Sequence, residues 1–242
     1  MKKVLKRVML VGIESAAIDG QTLVAGCCTT NDTFSQHGSQ TTIIPAGKMD
    51  QKYQAMLEVS LKCFEIYTHK CKESPEEMII FFNSCPADQV ILLQENYSAI
   101  LKERIKNAYN VDVKLTVVMI NVRTSERFFD TYGSEVRNVP PGTLVSKGIV
   151  SKDYDFYLVP QQARKNATCV PIHYKVITCD SNLEEGHLQE LIFSQCFNYV
   201  NWTGSIKLPG IQQYAKKCAK FNAEVMKGTK VSDDLHTRLY YI

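Results

Sequence analysis

The chain has 242 residues, 45% of them hydrophobic and 22% charged, with a formal net charge of +3. That composition suits one large domain or two small ones, buries enough apolar surface to need neither disulfides nor metal for folding, and excludes a polycation. The longest early apolar run, Val8 to Ile13, is too short for a signal peptide, and no stretch approaches the roughly 20 apolar residues of a bilayer span, so the expectation is a soluble intracellular protein.

In chain order, VMLVGIE (Val8–Glu14) reads as a strand buried on both faces. TLVAGCCTT (Thr22–Thr30) and QTTII (Gln40–Ile44) follow as two more strands joined by polar, glycine-containing turns. Tyr53, Met56, Leu57, Leu61, Phe64 and Tyr67 then recur at intervals of three and four. This predicts a helix from near Met49 that fades before Pro75. MIIFF (78–82) is a short apolar strand that ends abruptly in Asn83 and Ser84, the pattern of a buried strand delivering one polar side chain to the edge of a sheet. A helix from about Gln89 to Tyr109 and a strand at Lys114–Ile120 come next. The turn at Pro140–Gly142 restarts strand-like segments at Gly142–Val150, Asp155–Val159 and His173–Thr178. Helices near Glu184–Asn198 and Gln212–Met226 close the chain, and the apolar ending LHTRLYYI reads as docked.

Three strands followed by alternating helices and strands is a ribonuclease H-like order: an α/β fold with a mixed sheet flanked by helices. In that topology the first and fourth strands lie side by side. Glu14 and Asn83 then meet at the carboxy edge, where open α/β sheets place their ligands. The nine cysteines form no C-x-x-C pair and no Cys/His knuckle, so buried reduced thiols are expected. Basic residues gather late, at Arg164 and Lys165 and then at Lys216, Lys217, Lys220, Lys227 and Lys230. Taken alone they read as a solvated face, with a phosphate-tracking surface as the alternative.

Several segments carry a family resemblance. PPGTLVSKGIV, YDFYLVPQQARKNATCVPIHYKVI, FSQCFNYVNWTGSIKLPGIQQYAKKCA and the ending RLYYI resemble the C-terminal half of a PIWI domain. Pro171–Tyr174, Asn201–Gly204 and Gln213–Ala219 resemble the Piwi branch of the Argonaute superfamily more closely than the Ago branch. The resemblance covers nearly the whole chain, so residues 1–242 are expected to form a single PIWI domain, with no PAZ or MID domain in the chain. In active members of the family, four residues hold two divalent ions, Mg2+ or Mn2+, that cleave a target RNA paired to a small guide RNA. Such ions require hard anionic oxygen ligands.

Carried over position by position, the resemblance places Glu14 of VGIE at the first aspartate. Counting back from Asn83 by the family's spacing gives Gln51 at the loop glutamate. Asn83 of FFNSCPADQ stands at the second aspartate, with Gln89 keeping that motif's final glutamine, and His173 of PIHY stands at the fourth position. Glu14 keeps its charge on a longer arm; Gln51 and Asn83 keep an acceptor oxygen and lose the charge. The implied tetrad is degenerate, with no metal expected, and Asp19, Asp50 and Asp88 read as turn residues rather than replacement ligands. The resemblance also implies guide-facing contacts from Lys217 and Gln213, with Tyr214 packed beneath, and from Arg123 and Arg127 in NVRTSERFF, where Glu126 dilutes the charge. The expected partners are a small guide RNA and its complementary target, with protein partners on the face away from the RNA and no membrane. The expected location is the cytoplasm, with the nucleus or ribonucleoprotein granules as alternatives. The expected function is slicer-inactive RNA binding in silencing. An active endonuclease using displaced acids such as Asp50 or Asp88, and a protein-interaction module without RNA, remain the alternatives.

Overall fold

The computed structural model describes residues 7–48, 51–85, 90–91, 93–150, 154–163, 167–181 and 183–242. The expectations made for Met49, Asp50, Asp88, Gln89, Arg164 and Lys165 lie outside them.

One eight-stranded sheet organises the chain. β1 (Val8–Ile18), β2 (Gln21–Thr29) and β3 (His37–Ile44) form the antiparallel meander. β1 runs four residues past its expected end because Asp19 and Gly20, with φ of 44° and 78°, make a two-residue turn that pairs Ile18 with Gln21. Positive φ at both central positions matches the twist of the flanking strands. After α1 (Lys52–Cys71), β4 (Glu77–Asn83) enters parallel to β1, and β5 (Lys114–Asn121) enters parallel to β4. Between them the chain makes a π-helical turn at Leu93–Tyr97 and α2 (Ser98–Tyr109).

Beyond β5 the sheet turns antiparallel. A separate hairpin, β6 (Phe129–Tyr132) with β7 (Glu135–Asn138), precedes β8 (Leu144–Val145), β9 (Asp155–Leu158) and β10 (Ile172–Cys179). The sheet order is β3-β2-β1-β4-β5-β10-β9-β8, so the expected mixed α/β architecture is present. The long strand expected at Gly142–Val150 shrinks to Leu144–Val145. Gly142 and Gly148 both adopt positive φ, and Thr143 is tied back to Pro140, which breaks the extended run at both ends. The β6–β7 hairpin escaped the sequence reading because β7 is exposed throughout and has no apolar alternation.

α3 (Glu185–Gln195) and α4 (Gly210–Glu224) complete the fold. α4 starts two residues earlier than expected because Pro209 sits at its entry, where a missing N–H costs nothing.

The sheet separates two cores. On one face Leu10, Ile79, Phe81, Val118, Ile120 and Tyr174 pack under α3 and α4. On the other, Met9, Val11, Ile80 and Val117 pack against α1 and α2. The strands shared by both cores are apolar at consecutive positions, as central strands covered on two faces must be. The chain end is docked: Tyr241 is buried with its hydroxyl 3.2 Å from Cys27 Sγ, and Ser39 N–H donates to the carbonyl of His236. Cys27, Cys28, Cys63, Cys169, Cys196 and Cys218 are buried thiols. Among the described residues no helix is long and apolar enough to cross a membrane.

Candidate functional site at the carboxy edge

β1 and β4 are in register from Val8 with Glu77 to Ile13 with Phe82, so the next residues, Glu14 and Asn83, emerge side by side. Both point to the α3–α4 face, because Leu10, Ile79 and Phe81 at alternating positions fill that core. Asn83 Nδ2 donates to Glu14 Oε2 at 2.5 Å.

A third side chain closes the group. Gln212, fully buried in the first turn of α4, donates from Nε2 to the carbonyl of Ile13 at 2.9 Å and to Glu14 Oε2 at 3.3 Å. The helix can approach this closely because Gly12 has no side chain: a Cβ there would lie 2.5 Å from the carbonyl oxygen of Ile211. The Ser15 N–H takes the remaining carboxylate oxygen, Oε1, at 3.3 Å.

Glu14 is therefore a partly buried anion held by three N–H donors. Burial pushes its carboxyl above the usual range, opposed by the Ser15 N–H, by the charge of Lys216, by the Gln212 amide and by the charge of Lys52. Desolvation dominates because, among the described residues, no cation makes direct contact with the carboxylate. Two amide oxygens in the group, Asn83 Oδ1 and Gln212 Oε1, are buried and have no hydrogen-bond partner among the described residues. Glu14→Gln should then raise stability at pH 7.5 by about 1 kcal/mol, since it removes a desolvated charge and its new NH2 can donate to one of those oxygens. A raised folded pKa makes the ionised state the unfavourable one. The gain should therefore shrink as pH falls through the acidic range, where wild-type Glu14 is protonated. Urea unfolding at pH 7.5 and pH 4.5 measures both; a destabilised variant at pH 7.5 would overturn the assignment of desolvation as the dominant cause.

The other positions carried over by resemblance do not join this group. Gln51 is exposed at the entry to α1 and makes no side-chain cap bond, while its neighbour Lys52 lies within electrostatic reach of Glu14. His173 lies on the opposite face of the sheet, since Ile172 and Tyr174 fill the α3–α4 core. There its Nε2 pairs with Asp155 at 3.0 Å and its ring stacks on Tyr157 at 4.5 Å. The structure thus brings together Glu14 and Asn83 and adds Gln212, with Lys216 within electrostatic reach. Gln212 was legible in principle: with Ile211, Ala215, Cys218, Ala219 and Asn222 it lies on the buried stripe of α4. A polar residue on such a stripe signals a hydrogen bond.

Of the residues expected to face a guide, Lys217 and Arg123 are exposed and Gln213 is partly buried. Arg127 is exposed, and its guanidinium donates to the carbonyls of Thr124 and Glu126. Tyr214 is fully buried. Its hydroxyl accepts the Val200 N–H at 3.0 Å and its ring meets His37 at 4.4 Å. Asp19 is an exposed turn residue.

Among the described residues no three His, Cys, Asp or Glu side chains gather as a metal-holding group. Among the described residues the edge offers one carboxylate, already committed to amide donors, with two lysines near it. That donor set does not fit two divalent cations, which need several anionic oxygens.

The chain matches the Piwi domain family over residues 1–227. It is 28% identical to Piwi-like protein 1 of Gallus gallus over 248 residues, covering 98% of this chain and 28% of that protein. To protein argonaute-3 of Drosophila melanogaster it is 27% identical over 242 residues, covering 98% of this chain and 27% of the relative. The chain thus spans about a quarter of the length of these relatives. Its fold superposes on the crystal structure of Drosophila Piwi with a TM-score of 0.83 at 23% identity, covering 98% of this chain and 32% of that one. On Kluyveromyces polysporus Argonaute, solved with a guide RNA, the TM-score is 0.81 at 20% identity, covering 100% of this chain and 32% of that one.

Proposed function

The chain belongs to the Piwi domain family, and from that premise we propose that it binds a small guide RNA and its complementary target in RNA silencing without cutting the target. The observation that carries this reading is the hydrogen bond from Asn83 to Glu14, where an amide donor stands in the position the family gives to a second carboxylate. Cleavage by two cations needs anionic oxygens on both ions. Among the described residues Glu14 is the one carboxylate in the group, its oxygens taken by Asn83, Gln212 and Ser15, and Lys52 and Lys216 already supply positive charge nearby. No Mg2+ or Mn2+ ion is part of the proposed function.

RNA binding makes lighter demands. A guide–target duplex is held through phosphates and 2′-hydroxyls, by charge and shape. Exposed Lys217, Arg123 and Arg127 can serve that purpose, with Gln213 partly exposed on the same helix as Lys217 and Tyr214 fixing that helix beneath. The protein would act by holding RNA and recruiting partners on the face away from it, in the cytoplasm.

The test is a cleavage and binding assay with guide RNA and matched target in Mg2+ or Mn2+. The target should stay intact while RNA is retained with an affinity that falls steeply as salt rises. Cleavage that disappears on Glu14→Ala would sink the proposal in favour of an active endonuclease. Failure to bind RNA at low salt would leave the protein-interaction reading instead.

A further inference from the structure

The loop between α3 and α4 exposes apolar side chains that no core uses. Phe197 is 53% exposed, Val200 65% and Trp202 61%, and Trp202 is the single tryptophan of the chain. An indole left in water forgoes a large burial gain, and contiguous exposure of this kind marks a contact surface.

The loop beneath the ring is firmly held. Trp202 N–H donates to the Tyr199 carbonyl at 3.2 Å, Val200 N–H to the Tyr214 hydroxyl at 3.0 Å, and Ile206 N–H to the Cys196 carbonyl at 2.7 Å. Gly204 lies against the indole, where a Cβ would sit 3.4 Å from Trp202 Nε1. The Gln161 amide donates to the Ser205 carbonyl. Gln161 follows β9, whose Leu158 pairs with Ile172, and the next residue, His173, pairs with Asn121 at the carboxy end of β5. The ring is therefore presented beside the same edge as Glu14 and Asn83.

Local charge selects the occupant. From Leu191 to Ala223 the chain has no aspartate or glutamate, yet Lys207, Lys216, Lys217 and Lys220 all fall in that stretch. The other 24 of the chain's 28 bases are balanced by its 25 acids, all of which lie outside this stretch. An aromatic face on a segment that carries exposed lysines and no carboxylate of its own fits single-stranded nucleic acid better than a peptide.

We propose that Trp202 is a stacking platform for an unpaired base of an RNA laid along the carboxy edge, with Lys207 and Lys217 contacting its phosphates. This rests on the RNA-binding reading above and adds to it a residue that meets bases rather than backbone.

A single tryptophan makes the test direct. The full chain is titrated with a 5′-phosphorylated single-stranded RNA and with a blunt duplex. Tryptophan emission and the anisotropy of a labelled RNA are followed separately. Single-stranded RNA should quench emission with the same midpoint as the anisotropy change, and the duplex should bind without comparable quenching. Trp202→Ala should weaken single-strand binding about tenfold, while Trp202→Phe keeps most of it. RNA that binds with unchanged emission, and with undiminished affinity in Trp202→Ala, overturns the stacking role in favour of a protein contact and leaves RNA binding standing. Absence of any RNA binding overturns both.

Discussion

Asn83→Asp should destabilise the fold by about 2–3 kcal/mol at pH 7.5 and restore no RNA cleavage. The wild-type amide donates to Glu14 Oε2. An aspartate cannot donate when ionised, so the change removes one of the three N–H donors that hold a partly buried anion and sets a second anion against it. Lys216 and Lys52 soften the repulsion without direct contact, because burial already outweighs them at Glu14. As pH falls, one proton shared between the two carboxyls relieves the repulsion, so the deficit should shrink toward pH 4.5. Thermal unfolding across that range reports the first half of the prediction. The cleavage assay reports the second, and the expected result is intact target, because Gln51 remains neutral and exposed. Restored cleavage would mean that Gln51 does not stand for the family's loop glutamate. Asp50, its neighbour in sequence, would then be the first suspect.

The same pair shows what the sequence could and could not convey. Apolar runs that end in Glu14 and Asn83, in the first and fourth strands of a meander-then-alternating order, suffice to predict that the two side chains meet. Parallel pairing of β1 with β4 realises this. His173 needed finer information. PIHYKVI is apolar at Ile172, Tyr174 and Val176, but Ile177 packs on the other core, so alternation alone is blurred. Only the polar pair His173 and Lys175 indicates which residues share the face away from Glu14, and the irregular register between Val176 and Thr178 confuses even that. The β6–β7 hairpin was invisible because the residues of β7 face solvent and its pairing rests on backbone bonds that any sequence can make.

Gln212 was missed for a different reason. Its role depends on how closely one helix approaches one strand, a distance that follows from an absent side chain rather than a present one. Gly12 meets the backbone of Ile211 and Gln212 in α4, and this contact allows the Gln212 amide to reach both the Ile13 carbonyl and Glu14. The glycine of VGIE therefore assembles the site as directly as the glutamate two residues later.

Gly12→Ala should accordingly be among the most damaging single-methyl changes in the protein. The added Cβ would lie 2.5 Å from the Ile211 carbonyl oxygen, 2.8 Å from its carbonyl carbon and 2.9 Å from Gln212 Cα. All three are backbone atoms of a helix, which cannot rotate away as a flexible side chain can. α4 must lift from β1, loosening the buried contacts of Ile211, Ala215, Cys218 and Ala219 and pulling Gln212 off Glu14. Overpacking of this kind costs about 3 kcal/mol. Gly186→Ala is the matched control. It lies in α3 with nothing within 4 Å of the new methyl, and it should be neutral or stabilising by about 0.5–1 kcal/mol. Urea midpoints of the two variants separate a packing clash from a general loss of glycine flexibility. A Gly12→Ala protein as stable as wild type would mean that α4 has room to move, and that the grip of Gln212 on Glu14 does not depend on this close approach.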